Sequence, residues 1–543
     1  MPAAMSTAAL DRYFAAENAG QAIDLPTAVG FCMFIRRDCI EEVGLFDAQR
    51  FGRGYGEEND FCMRARAAGW RHVLALDTFV RHSGGASFGP EKPARVQQAQ
   101  ERIAELHPDY AQAVARHVQE DPAWTARLKV DLARIRASGL PSVLFVSHVG
   151  GGGTERHARE LADAMNGRAT VLLLRPTGGE QTLLEWLRAG EGFRLGFRLP
   201  GEYDSLLRAL RALGVAHVHF HHTRGHEPCV FDLPQSLGVA HDFTAHDFFS
   251  VCPQVTLSDE IGRYCGESGT EQCVACLRRR PAPAGASIES WRAEYGRLLG
   301  QARHVFAPSA DAASRLHRYF PTVNVVHVPH LDMESAPAAA QPQPLAGARP
   351  LRIVVMGALS QIKGADVLEA TAALASQRGS RLEFHLLGYA YRDLRVVPGA
   401  KLTVYGQYAE DELQGLLKAL QPDLAWFPAL WPETYSYTLS AALNARLPVV
   451  AADLGSFPER LSGRAWTWVC PWYWLSEEWV RFFEGLIVRH FDSGSAPDPA
   501  PPRPTQPSGF SYVCDYLRGV QRPALTETLP TEFLQRHRPL GNT

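Results

Sequence analysis

Short apolar runs alternate with amphipathic stretches over the C-terminal three quarters of the chain. Ser142–Val146 (SVLFV), Ala169–Leu174, Val215–Phe220 (VAHVHF), Leu351–Gly357 (LRIVVMG), Leu382–Leu387, Leu402–Tyr405, Asp423–Phe427 (DLAWF) and Pro448–Ala452 each read as a strand. Candidate helices lie between them, at Thr154–Met165, around Glu410–Leu420 and at Ser436–Arg446, and HVFAPSADAASRLHRYF reads as strand then helix. Strand–helix alternation of this kind predicts parallel sheets with helices on both faces.

The flanks read differently. Thr27–Asp47 predicts strand, turn and helix, Gly54–Trp70 an acidic turn entering an amphipathic helix, and Val73–Leu76 a strand. Residues 113–139 look like a helical connector with a partial stripe at Leu128, Val130, Leu132 and Ile135, stopped by Gly139 and Pro141. Residues 333–350 are rich in Ala and Pro and read as a linker; Ser493–Gly509 is Pro-rich, and FSYVCDYLRGV after it could return as a last helix.

The 543-residue length calls for several cores, and 46% hydrophobic with 21% charged residues is an ordinary soluble composition. A net charge of −3 gives no general attraction to nucleic acid or anionic membrane. No apolar run approaches the ~18–20 residues that span a bilayer, and the first 20 residues lack a signal-peptide pattern. The expectation is a cytoplasmic protein without a transmembrane segment, with peripheral contact at the inner face of a membrane left open.

Candidate chemistry gathers at the ends of the predicted strands. After Asp423–Phe427 comes a turn with Glu433, then a helix that Thr434 or Ser436 could cap; its free N–H groups, near Tyr435 and Ser436, form an anion site. After Ser142–Val146 comes a glycine run, Gly150 to Gly153, opening a helix. It is neither a dinucleotide fingerprint nor a P-loop. His246-Asp247 follows another predicted strand, and Lys363 stands out in a chain with five lysines. Plainer roles are open to each: Glu433 as a helix cap, His246 as a structural partner of Asp247. Cys252, Cys265, Cys273 and Cys276 are spaced C-x12-C-x7-C-x2-C, compatible with a closed structural zinc site, with free or redox thiols, or with disulfides.

PETYSYTLSAAL, carrying Glu433, resembles the donor-binding motif of retaining family 4 glycosyltransferases, which have the GT-B fold. GGGTERH, His246, Ser309 and Lys363-Gly364 resemble further positions of that family in the same order. The resemblance implies two Rossmann-like lobes with parallel sheets, an acceptor-side lobe at 140–332, a linker at 333–350 and a nucleotide-sugar-binding lobe at 351–490, with a tail at 491–543. It implies a UDP- or GDP-sugar donor, a glycan or lipid-linked acceptor and no required metal. Glu433 and His246 would face the donor sugar; Lys363, Gly151, Gly152, Gly153, Tyr435, Ser436 and Ser309 would line the donor site. Two family positions differ here: Ala441 stands where a ribose-binding Glu is usual, and Ala358 where an Arg is common. These departures favour an alternative, a degenerate transferase serving as a binding or scaffold protein in glycan assembly. Residues 1–112 resemble the C-terminal half of a family 2 (GT-A) glycosyltransferase, with Glu58 matching its catalytic base and His82 a metal- or diphosphate-binding position. The donor-binding half of that family is missing upstream. This incomplete α/β unit therefore reads as a remnant, a truncated gene start, or an acceptor-side or docking module.

Overall fold

The computed structural model describes residues 5–52, 55–82, 92–187, 193–333, 339–340, 342, 344–345, 347, 349–395, 401–501 and 508–539. It divides into two compact units: residues 1–142, 167–215 and 521–543, and residues 143–166 and 216–520.

The second unit has two lobes, and its strands are numbered here in chain order. In the first lobe, β1 (Ser142–Val146), β2 (Val215–Phe220), β3 (Ala240–Thr244), β4 (His304–Ala307) and β5 (Val325–His327) lie in the order β5-β4-β3-β2-β1. In the second, β6 (Leu351–Leu359), β7 (Leu382–Ala390), β8 (Leu402–Val404), β9 (Leu424–Phe427), β10 (Val449–Ala452) and β11 (Thr467–Cys470) lie in the order β8-β7-β6-β9-β10-β11. All pairs in the second sheet are parallel. This is the doubly covered α/β architecture that the apolar runs predict: β1, β9 and β10 are buried at every position, because helices cover both faces.

An aromatic stack centres the second lobe. Trp426 on β9 packs on Trp479 of helix Ser476–Leu486 with ring centroids 5.1 Å apart, and Phe384 and Phe483 complete the group. Close backbone contact marks the carboxyl ends of the neighbouring strands. Gly388 pairs with Gly357, and a Cβ on Gly388 would lie 2.1 Å from the Gly357 carbonyl oxygen. Only glycine fits there, and its φ of +133° is open to few other residues.

The tail departs from expectation. Residues 511–519 form successive turns and not a helix, yet Tyr512 and Tyr516 are buried on the first lobe, where Phe510 lies 5.0 Å from Phe306. Two large aromatic anchors fix this segment without a regular backbone. Residues 502–507 of the Pro-rich stretch, and 334–338, 341, 343, 346 and 348 of the linker, lie outside the described residues.

The first unit departs further. Thr170–Gly178, the continuation of the strand predicted at Ala169, turns back on Gln181–Trp186 and then Arg194–Arg198 in an antiparallel meander. Gly178 and Gly179 both have positive φ, and so short a loop can only join antiparallel strands. No strand forms between Thr27 and Ile35: a 3-10 turn at Gly30–Cys32 leaves Val29 60% and Phe34 94% exposed. An apolar run becomes a buried strand only where a neighbouring strand and a covering layer exist. The strand predicted at Val73–Leu76 is present as His72–Ala75, paired antiparallel with Ala22–Leu25. Helices Tyr110–Glu120 and Trp124–Ala137 occupy the connector, the latter burying Leu128, Val130, Leu132 and Ile135. Among the described residues no helix is long and apolar enough to cross a membrane.

The aromatic stack sets an expectation for stability. Replacing Trp479 by Ala should destabilise the second lobe by about 3–5 kcal/mol, and by Phe much less. Urea unfolding followed by circular dichroism measures this; an unchanged midpoint would show that the lobe is not organised on the stack.

Candidate active site

The β9–β10 connection builds one wall of the site. After Phe427 the chain runs buried through Ala429, Leu430 and Trp431 to Glu433. Leu430 N–H donates to the Ile362 carbonyl at 2.8 Å, and Ser456 N–H to the Glu433 carbonyl at 2.8 Å. Helix Tyr437–Asn444 then starts, with Ser436 as its N-cap: the Ser436 hydroxyl accepts from Leu439 N–H at 3.3 Å. Of the two expected caps, Ser436 takes the role, and Thr434 instead donates to the His246 carbonyl of the first lobe.

Three expected residues meet around this loop. Lys363, in the 3-10 turn Gln361–Lys363, places Nζ 3.8 Å from Glu433 Oε1; the lysine is half exposed and the carboxylate buried. His246 meets the loop through its backbone carbonyl, and its ring turns to the other histidines. Its Nε2 is 3.2 Å from His221 Nδ1, so one ring donates and the other accepts.

A pocket of about 700 Å³ opens beside them, a volume in the range of small-molecule sites. Gly152 and Gly153 of the glycine loop, Gly357 and Gly388 at the strand ends, and Ala441 border it. Helix Gly152–Ala164 opens here with Gly151 as N-cap at φ +64° and no side-chain cap, which leaves its first N–H groups open to an acceptor. Gly153 lies against Tyr437, where an added Cβ would be 3.5 Å from the ring. Lys363, Glu433 and His246 do not border this space.

Ser309 is placed elsewhere. It is fully buried as the N-cap of helix Ala310–Tyr319, accepting from Ala312 N–H at 3.2 Å. Glu459 takes the neighbouring N–H groups of Ala310 and Asp311 at 2.9 and 3.0 Å. In the first unit, Glu58 lies in the first turn of helix Glu57–Ala67, its carboxyl pushed up chiefly by burial. His82 stacks on Phe31 at 4.5 Å.

Several pocket residues escaped the sequence reading. Arg156 lies over the Tyr437 ring at 4.1 Å and pairs with Glu160 at 2.8 Å and with Glu410. Tyr437 donates to Glu160 at 2.9 Å, and Tyr435 donates to Asp332. Arg460 covers Tyr435 at 4.1 Å and donates to the Ser436 carbonyl at 2.6 Å. Gln414 and Asn444 border the pocket beside Ala441, and Gln414 Nε2 donates to the Ala441 carbonyl at 3.3 Å. Arg156 had a readable signal, its place one turn into the helix after the glycine run. Gln414 and Asn444 had none.

The histidines form the other missed feature, although the alternation in VAHVHFHH announces it, since every second side chain of a strand shares a face. Partners recur 25 residues apart across β2 and β3. His217 Nε2 meets Asp242 Oδ2 at 2.9 Å, His219 Nε2 meets Thr244 Oγ1 at 2.7 Å, and His222 Nε2 meets Asp247 Oδ2 at 3.0 Å. His157 joins from the helix, stacked on His330 at 4.1 Å and fully buried, with neither ring nitrogen hydrogen-bonded. Burial pushes His157 down to about 3 and His148 to about 4, and holds His219, His221, His246 and His330 well below the ordinary range. These rings are neutral at pH 7. Ligand atoms of His157, His221 and His246 lie within 4.8 Å of one another, a spacing that could hold a metal ion. The four cysteines line a separate, smaller cavity.

Residues 151–330 match the family described as Glycosyltransferase Family 4. Among solved structures, the chain is similar to sucrose-phosphate synthase from Thermosynechococcus elongatus (13% identity, 64% of this chain and 90% of that one, TM-score 0.41). It is also similar to HepE from Anabaena in complex with UDP and glucose (14% identity, 64% and 90%, TM-score 0.40). A third is the pneumococcal O-GlcNAc transferase GtfA in complex with UDP and GlcNAc (8% identity, 65% and 93%, TM-score 0.41). No curated protein matches the chain.

The neutral histidines make stability depend on pH. Below about pH 6.5 the unfolded chain binds protons that the folded cluster refuses, so stability falls as pH drops, by up to about 1.4 kcal/mol per pH unit for each such ring. His157→Phe should flatten the dependence of melting temperature on pH between 6.5 and 5. A slope identical to that of the unaltered protein would mean that His157 is protonated in the folded state.

Proposed function

We propose that the second unit is a nucleotide-sugar-dependent glycosyltransferase of the GT-B type. It moves a sugar from a UDP- or GDP-sugar to an acceptor hydroxyl, with retention at the anomeric carbon. One observation carries the reading: a nucleotide-sized pocket lies at the carboxyl ends of parallel strands and takes in the start of the helix that follows Glu433, whose carboxylate pairs with the distant Lys363. Ligands of open α/β sheets bind at that end. The match of residues 151–330 to a glycosyltransferase family supports it.

The slow step is departure of the nucleoside diphosphate, which gathers negative charge as the sugar–oxygen bond breaks. Useful groups are therefore fixed donors aimed at that oxygen. The N–H groups opening helices Gly152–Ala164 and Tyr437–Asn444 supply dipoles without reorganisation, and Lys363 supplies a mobile point charge. Arg156 offers a second cation on the first-lobe side, where Ala358 leaves the second lobe short of one. A diphosphate would draw Arg156 from Glu160 and Glu410, and Lys363 from Glu433. Glu433, freed of the lysine, is then placed to accept from sugar hydroxyls, with His246 on the opposite side. Ala441 removes one ribose carboxylate, and the amides of Gln414 and Asn444 are the nearest substitutes on that wall. The acceptor is read as a glycan or lipid-linked glycan by analogy with the family. Residues 1–112 are read as a family 2-like fragment in which Glu58 has a base's raised carboxyl.

Isothermal titration with UDP and with GDP tests the reading. One of them should bind at micromolar to sub-millimolar concentration. Lys363→Ala should weaken it ten- to hundredfold, the loss of a charged hydrogen bond worth about 1.5–3 kcal/mol. Glu433→Gln should spare nucleotide affinity but reduce sugar transfer. If neither nucleotide binds, the transferase reading fails and the scaffold alternative stands, with Ala441 and Ala358 as its basis. Retention is checked separately by NMR of the product's anomeric proton.

A further inference from the structure

The segment between Cys252 and Ser287 has almost no core of its own. Its buried apolar side chains are Pro253, Leu257 and Ala282, and the ten-residue helix Thr270–Arg279 buries none of its residues. Yet the backbone is tightly folded. Val255, Leu257 and Glu267 hold positive φ of 69°, 52° and 52°, conformations that side-chain-bearing residues adopt only when their surroundings impose them. Val255 N–H donates to the Cys252 carbonyl at 2.9 Å and Cys265 N–H to the Leu257 carbonyl at 2.8 Å, folding the first two cysteines toward each other. A segment this short of buried apolar surface needs a cross-link or a metal.

Cys252, Cys265, Cys273 and Cys276 all border one cavity of about 60 Å³, and none is in a disulfide. Cys273 and Cys276, three residues apart, share one face of the helix. Glu267 also borders the cavity, but its carboxylate is engaged by Tyr264 at 2.6 Å and by Arg315. Beside the neutral side chains of Ser258, Ser268 and Gln272, the donors left are four soft sulfurs. Two guanidiniums face them: Arg280 lies 3.1 Å from Cys276 Sγ and Arg292 3.5 Å from Cys273 Sγ.

We propose that these four cysteines hold one structural Zn²⁺ ion. Binding exchanges four thiol protons for the dication and leaves a tetrathiolate of net charge −2, which Arg280 and Arg292 offset. Four thiolates close a tetrahedral shell, so the ion has no open position for chemistry. The ligands bind as thiolates, so acid weakens the site's grip on the ion. The ion acts on the catalytic lobes through position. The segment begins five residues after Asp247, and its Ile261 carbonyl accepts from Gln361 Nε2 at 3.3 Å, in the turn that carries Lys363. This inference does not depend on the transfer reaction.

The full-length protein, purified without chelator, should contain one zinc by mass spectrometry of metals. A thiol-blocking mercurial should release that zinc, as followed with a colorimetric indicator. Co²⁺ in its place should give the intense near-ultraviolet bands of thiolate coordination. Cys273→Ser with Cys276→Ser should abolish zinc retention, and His157→Ala should leave it intact. If the serine variant does not fold, mercurial release and the cobalt spectrum decide on the unaltered chain. The proposal is overturned if the protein is metal-free with all its thiols reactive, or if cysteine pairs are oxidised. It is equally overturned if zinc survives the cysteine changes and is lost with His157→Ala.

Discussion

The loop from Phe427 to Tyr437 has no freedom to move alone, and the site depends on that. A Cβ on Gly455 would lie 2.5 Å from both the N and O of Glu433, so the next turn is packed backbone to backbone against it. Leu430 is tied to the turn before Lys363, and Thr434 to the carbonyl of His246. Each bond is modest, worth about 1 kcal/mol net. Together they hold the Glu433 loop against the turn of Lys363 and the backbone of His246, from three separate stretches. A loop assembled against distant segments is held by steric exclusion as well as by hydrogen bonds.

Charge around the pocket is arranged so that cations are held but not consumed. Arg156 and Arg460 lie on the faces of Tyr437 and Tyr435, whose hydroxyls are turned onto Glu160 and Asp332. Burial and those carboxylates push both phenols up, so they remain donors. His157, His219, His221, His246 and His330, held below the ordinary range by burial, add polar edges behind them. An anion entering the pocket therefore meets the guanidinium of Arg156, which lines it. Asp242 shows the opposite solution. Burial alone would raise its carboxyl, but His217, His304 and Arg303 hold it far below the usual carboxylate range.

What the chain states by itself is the rhythm of the second unit. Strands β1, β2, β6, β7, β9 and β10 fall where apolar runs of four to nine residues stand between turn signals, because both faces of a parallel sheet are covered and the run needs no alternation. The Ser436 cap and the glycine-opened helix were legible for the same local reason: N–H groups at a helix start must find an acceptor or a ligand within a few residues. Proximity was not legible. That Glu433 meets Lys363, that Gln414 and Asn444 border the pocket and that Ser309 turns inward as a cap are decided by how distant segments pack, and spacing in sequence carries no such information.

The remaining differences have one physical cause. Thr27–Ile35 is as apolar as the buried strands but finds no partner strand, and Val29, Phe31 and Phe34 stay exposed. FSYVCDYLRGV has a helix-like pattern, but two tyrosines anchored among the aromatics of the first lobe outweigh that propensity. Local sequence determined which segments could bury themselves and where helices could begin. Tertiary structure alone decided which of them found a partner surface, since burial free energy belongs to the pair of surfaces and not to either one.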